Sequence, residues 1–222
     1  MEHILITHTH SDHFQFEELV SKSQAIVDNG KPLHIYMSNP AKLYLESVFH
    51  TFAAQIEEED DLDAFKKKYP VHGLEYYQEY EIGGLIVETI KGSHLAEGMD
   101  QFSCNYLIIL PDGRRLLYAI DTGYYLDESW DFLRSRHTDI LIMDCTFVGK
   151  NDGENHAFGH HTLNSFLKTL ERMTELGFIN EHTEVYATHF NPHQNLYHHE
   201  IQDQFDHSDF TVTAAFDGLR IY

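Results

Sequence analysis

The stretch Ile4-Leu5-Ile6-Thr7-His8-Thr9-His10-Ser11-Asp12-His13 decides how this chain is read. Ile4 to Thr7 fits a short buried strand, and polar residues then take over at once. His8, His10, Asp12 and His13 place four ligand-type side chains between positions 8 and 13. No single helix or strand face presents all four, so they need a loop wrapped around a small centre. The centre that best suits four nitrogen and oxygen donors is a metal pair. On extended backbone His8 and His10 share a face, while Asp12 and His13, past a turn, can face a second ion. The ordinary alternative is a solvated polar loop, and a lone His-x-His would favour it. The full pattern behind an apolar strand favours metal.

Outward from that loop, strands and helices alternate. Phe16 to Asn29 fits a helix with Leu19, Val20, Ile26 and Val27 inward, closed by Gly30. Leu33 to Met37 reads as a strand. Asn39-Pro40 reads as N-cap and first helical residue, opening a helix with Leu43, Leu45, Val48, Phe49 and Phe52 on its apolar side. Glu57 to Lys68 is charged and expected as an exposed, mobile excursion. Leu85–Ile90, Asn105–Leu110 and Arg115–Ile120 are expected strands, the last two joined by a tight turn at Pro111-Asp112-Gly113-Arg114. A short helix at Asp127–Arg136 and a buried strand at Ile140–Asp144 follow. Further on come an amphipathic helix from His161 to Glu175, a strand at Thr183–Thr188 and a helix from Gln194 to Phe205. A hairpin of Phe210–Ala214 with Leu219–Tyr222 ends the chain. The alternation predicts one α/β domain over residues 1–222.

The 222 residues carry 15 Lys and Arg against 36 Asp and Glu, a formal charge of −21. Such a surface repels phosphate backbones and argues against general nucleic-acid binding. Apolar residues make up 42% and aromatics 13%, enough for a real core rather than a disordered tail. No apolar run approaches the roughly 18 residues of a membrane helix, and Met-Glu-His-Ile lacks the start of a signal peptide. Cys104 and Cys145 are too few for a disulfide framework and are expected as reduced, buried thiols. Together these features predict a cytoplasmic protein. Histidine, with 18 copies, outnumbers Lys and Arg combined, which directs attention to ligand and proton-transfer chemistry.

Residues 6–13 resemble the signature of the metallo-β-lactamase superfamily, and three later motifs follow in that family's order at strand ends. Gly92-Ser93-His94 is similar to its third-strand histidine ligand. Ala119-Ile120-Asp121-Thr122-Gly123 is similar to its Asp-Thr-Gly motif, and Ala187-Thr188-His189-Phe190 to its final histidine ligand. Gly159-His160-His161-Thr162 resembles the Gly-His-Ser-Thr motif of RNase Z and the matching histidine of PhnP-like phosphodiesterases. The segments Leu196-Tyr197-His198, Glu200 and Ala215-Phe216-Asp217-Gly218-Leu219 resemble the C-terminal end of the PhnP-like branch.

The resemblance implies a four-layer αβ/βα sandwich and a dinuclear metal site. His8, His10 and His94 would hold one ion, Asp12, His13 and His189 the other, and Asp121 would bridge them. Such ligands suit Zn²⁺, with Mn²⁺ or Fe²⁺ as alternatives. Two ions could share a water as hydroxide for attack on phosphorus or a carbonyl, and would neutralise charge on the oxygens. Catalytic roles fall to Asp12 and His160. His160, expected at a helix start, would hydrogen-bond the phosphate or protonate the leaving oxygen, with His156 and His161 as rivals. His193 is a candidate substrate contact, and Asp144 is expected to support the ligands from behind. His198 and His199 read as packing or surface residues. His3, His34 and His72 carry no motif and read as structural or surface.

The implied activity is hydrolysis of a small phosphate ester, cyclic esters included. Alternatives are RNase Z-like RNA processing, a thioester or lactone hydrolase of the same fold, and a non-catalytic metal-binding subunit. Glu57-Glu58-Glu59-Asp60-Asp61 opposes the RNA reading, because RNA needs basic contacts. The family normally carries strands ahead of its histidine loop, whereas seven residues precede His8 here. The first sheet is therefore expected to have a bare edge, covered by a second copy in a homodimer or by upstream sequence.

Overall fold

The computed structural model describes residues 2–27, 29–55, 66–96, 101–149 and 159–221. Two sheets form. The first has three parallel strands in the order β1 (His3–Leu5), β2 (His34–Ser38), β3 (Val71–Leu74). The second has seven strands in the order β10-β9-β8-β7-β6-β5-β4. They are β4 (Glu79–Ile82), β5 (Leu85–Ala96), β6 (Gln101–Ile109), β7 (Arg115–Ala119), β8 (Ile140–Asp144), β9 (Glu184–Thr188) and β10 (Val212–Ala214). Helices α1 (Phe16–Val27) and α2 (Asn39–Gln55) belong to the first half. Helices α3 (Asp127–Leu133), α4 (Leu163–Glu175) and α5 (His198–Asp206) belong to the second.

Period-two alternation sorts the side chains into layers. On β6, Leu107 joins a core with Trp130 and Leu133 of α3, Phe166 and Leu170 of α4, and Phe205 of α5. Its neighbours Cys104 and Tyr106 face the other way, into a core shared with Leu74, Ile82, Val87, Leu5 and Tyr36. That second core lies between the sheets. A third, of Ile35, Met37, Phe16 and Leu45, seals α1 and α2 onto the first sheet. Helix, sheet, sheet and helix thus stack as the expected four-layer α/β sandwich. Among the described residues no helix is long and apolar enough to cross a membrane.

Several expectations are corrected by local chemistry. Ser38 rather than Asn39 caps α2, since its Oγ accepts the Ala41 N–H at 3.4 Å. Leu43 is exposed on that helix, while Leu45 is buried. Strands β3 and β4 had no signal in the sequence reading, and β5 and β6 run longer than expected. The helix expected from Gln194 is split: Pro192–Gln194 form one 3₁₀ turn, Asn195 turns left-handed at φ 53°, and α5 starts at His198. At the C-terminus β10 pairs in parallel with β9, and residues 219–221 form no partner strand, so the expected hairpin is absent. The turn at 111–114 forms as read, with Leu110 N–H bonded to Arg114 O at 2.8 Å. Lys66, Lys67 and Lys68 are exposed. The rest of the charged excursion, and His156, lie outside the described residues.

His3, His34, Tyr36 and His72 form a block of rings at the start of β1–β3, the end opposite the His8 loop. His3 stacks on its cross-strand partner His34 at 5.2 Å, and Tyr36 stacks on His72 at 4.5 Å. His34 Nδ1 and His72 Nε2 share a hydrogen bond of 2.9 Å. Burial, then the nearby His34, Lys42 and His3, lower the His72 pKa. A lowered histidine stabilises the fold above its unfolded value and loses that contribution as pH falls through it. Stability should therefore decline below about pH 6.5, and His72→Phe, which keeps the stack, should flatten that decline in denaturant titrations across pH.

Both cysteines are buried and outside any disulfide, as the sequence implied. Burial pushes the Cys104 thiol up to about 12, and the thiolate is the reactive form. A disulfide-exchange reagent should label neither cysteine until the protein is unfolded, and fast labelling of the native protein would contradict this packing.

Candidate metal centre

The His8 loop is stitched to both sheets. Ile6 N–H bonds Tyr36 O on β2, and Thr7 O accepts Cys104 N–H on β6, both at 2.8 Å. The loop then turns back on itself, since His13 and Phe14 N–H groups both reach His10 O. Gln101, buried at the start of β6, clamps Thr9 by accepting its N–H at 2.9 Å and its hydroxyl at 3.0 Å. Sequence reading missed Gln101, because a lone glutamine at a strand start carries no motif.

The other candidate ligands are presented by unusual backbone in or just after strands. His94 lies inside β5, where the register against β6 shifts between Lys91 and Leu95. A bulge of this kind re-aims a side chain. Asp121 and His189 follow β7 and β9 at φ 53° and 61°, a left-handed conformation rare outside glycine that clusters at functional sites. Gly159, at φ 80°, passes so close to β5 that a Cβ there would sit 2.4 Å from His94 Cα. That approach sets His160 against His94, with ring centres 4.4 Å apart.

The structure brings His8, His10, His94 and Asp121 into one group with ligand atoms within 4.8 Å of one another. His10 Nδ1 lies 3.0 Å from His8 Nε2 and 3.1 Å from His94 Nε2. Asp12, His13 and His189 form a second group. Asp121 Oδ2 is 3.2 Å from His13 Nε2 and Oδ1 is 3.1 Å from His189 Nε2, so this carboxylate touches both groups. Asp12 is the loosest member: its side chain is 65% exposed and lies 3.4 Å from His13 and 3.8 Å from His189.

A third group combines Asp121, Asp144, His160 and His189. His160 therefore sits against the ligands. It does not start a helix: Thr162 caps α4 in a reciprocal box with Ser165, which leaves His160 and His161 before the first turn. His160 Nδ1 is 3.0 Å from Asp144 Oδ2. His161 is fully buried with Nδ1 on Ser165 Oγ, so it is a packing residue. His193 lies exposed on the 3₁₀ turn and lines a surface groove with Gln194, Glu200 and Asp203. No hydrogen bond, ion pair or ring contact joins it to the described ligand groups. His198 bonds Ala214 O.

These residues fit a pair of divalent cations. Burial would raise the Asp121 carboxyl, but the facing rings of His13, His8 and His189 hold it well below the carboxylate range. An ionised carboxylate with 1% exposure needs positive charge beside it. Burial outweighs Asp121 at His8 and lowers its pKa, so the ring is neutral, as a ligand must be. His189 is likewise lowered, chiefly by burial. Asp121 Oδ1 and His13 Nε2 are buried and make no hydrogen bond, which leaves both atoms available to a cation.

The profile of the family described as Beta-lactamase superfamily domain matches residues 1–190. This chain belongs to that superfamily. Superfamily members are hydrolases that use a dinuclear metal site. A search of the curated proteins found no significant match. Among solved structures, a diphosphatase of the PhnP family is 18% identical with a TM-score of 0.68, the match covering 100% of this chain and 71% of that one. Unliganded yeast PDE1 is 17% identical with a TM-score of 0.73 over 98% and 67%. The short form of human tRNase Z is 16% identical with a TM-score of 0.64 over 98% and 77%. At these identities the likeness establishes the fold.

Reconstituted protein should bind about two equivalents of divalent metal by elemental analysis. Asp121→Asn, which keeps the shape and removes the charge, should weaken both equivalents together. Loss of only one would show that Asp121 does not bridge.

Proposed function

We propose that this chain is a dinuclear metal-dependent phosphodiesterase for a small phosphate ester, cyclic esters included. The observation that carries the reading is the pairing of His160 with Asp144 beside the two ligand groups. Burial would lower His160, but the hydrogen bond and charge of Asp144, with Asp121 and Asp12 behind it, raise its pKa. Burial in turn pushes Asp144 up to about 6, against the pull of His160 and Thr146. The pair thus keeps a proton at the site near neutral pH, as a general acid requires.

His8, His10, His94 and Asp121 would hold one ion, and Asp12, His13 and His189 with Asp121 the other. When bound, the ions would neutralise the phosphate oxygens and lower the pKa of a shared water. Asp144 accepts from His160 Nδ1, which orients the ring and stabilises its charged form. Nε2 is then free to give its proton to the leaving oxygen. The surrounding charge of −21 supports a small substrate over an RNA chain.

His160→Ala separates this role from metal binding. An alkyl leaving group, as in a ribose cyclic phosphate, needs protonation, whereas nitrophenolate departs without it. Turnover of the alkyl ester should fall by about 10²–10⁴-fold, turnover of bis-p-nitrophenyl phosphate should fall far less, and metal content should hold. Equal losses on both esters, or loss of the metals, would remove His160 as the acid. Turnover of a thioester or lactone with no phosphodiester activity would overturn the reading as a whole.

A further inference from the structure

One buried hydroxyl sits where the ligand groups meet the acid pair. Thr146 follows β8 two residues after Asp144, so the two side chains share a side while Cys145 between them points into the core. Thr146 Oγ1 lies 2.9 Å from Asp144 Oδ2, 2.9 Å from His189 Nδ1 and 3.3 Å from His160 Nδ1. The residue is only 7% exposed, which limits the access of water to these bonds.

A hydroxyl has one proton to give and two lone pairs that accept. A carboxylate only accepts, so the Thr146 proton goes to Asp144. The short contact with His189 is then a hydrogen bond only if His189 Nδ1 is the donor. A neutral imidazole with its proton on Nδ1 carries its lone pair on Nε2. That Nε2 is the atom 3.1 Å from Asp121 Oδ1 and 3.8 Å from Asp12 Oδ2. His160 Nδ1 likewise donates, to Asp144 Oδ2 at 3.0 Å.

We propose that Thr146 is a positioning residue that holds His189 in its Nδ1–H tautomer, and thereby sets the affinity of the second metal site while leaving the first alone. The inference rests on the dinuclear reading above. His8, His10 and His94 have no bond to Thr146 and take their orientation elsewhere, His8 Nδ1 from Thr7 Oγ1 at 3.1 Å. Partners that orient a ligand in this way are worth roughly 10–100-fold in metal affinity.

The test compares Thr146→Val, which keeps the shape and removes the hydroxyl, with Thr146→Ser, which keeps the hydroxyl. Zn²⁺ is titrated against a chromogenic chelator, and imidazole ¹⁵N shifts are recorded on the Zn²⁺-loaded wild-type protein. The expected result has three parts. Thr146→Val binds its first equivalent like wild type and its second about 10–100-fold more weakly. Thr146→Ser restores the second equivalent. The wild-type spectrum shows the His189 proton on Nδ1. A wild-type protein that takes up fewer than two equivalents would defeat the dinuclear reading and this inference with it. Two tight equivalents in wild type and in Thr146→Val alike would overturn the inference and leave that reading standing. A serine variant as weak as the valine one would also overturn it, because the hydroxyl would not be what matters. If Thr146→Val fails to fold, the serine variant and the wild-type spectrum decide, and a proton on His189 Nε2 overturns the proposal.

Discussion

A buried, ionised carboxylate organises the molecule. Asp121 is 1% exposed and lies within 4 Å of ring nitrogens from His8, His13, His94, His160 and His189. Its negative charge, held far from water, is costly unless paired. Neutral imidazoles cannot repay that cost alone. The arrangement makes physical sense when cations complete it, and strand ends from both halves of the sandwich converge on this point.

Convergence is achieved by backbone that departs from regular strand geometry. The bulge in β5, the left-handed turns at Asp121 and His189, and the close pass of Gly159 each aim a side chain at the centre. Each costs on the order of 1–3 kcal/mol where a non-glycine residue is held left-handed. The seven-stranded sheet and the core beneath α3, α4 and α5 hold them in place.

Opposite demands meet across a few ångströms. The histidines aimed at Asp121 must be neutral to bind metal, and burial lowers His8 and His189 accordingly. His160 is shifted the opposite way, raised against its burial by the hydrogen bond and charge of Asp144. Asp121 raises His13 against its burial, so the His13 ring must give up its proton when metal binds. Asp121 faces the centre, whereas Asp144 sits behind, fully buried at the end of β8.

The sequence by itself singled out the candidate ligands. His8, His10, Asp12, His13, Asp121 and His189 were legible because each follows an apolar strand in a dense or ordered motif, and His94 because its motif follows an apolar run, although the strand continues through it. The α/β class and most central strands were legible for the same reason: buried strands need apolar runs of period two. Strands β3 and β4 were not, since their short mixed sequences pair only because β2 and β5 lie beside them. The position of His160 before the helix was decided by the Thr162–Ser165 cap, a local bond that competes with the helical pattern around it. Gln101 and Thr146 were invisible in sequence, because one polar residue at a strand boundary acquires meaning only from what packs against it. The contacts by which Asp121 meets both candidate groups, and the pairing of His160 with Asp144 behind them, were decided by tertiary structure. They depend on distances between atoms from strands up to 181 residues apart (His8 and His189), which only the closed sandwich brings within bonding range.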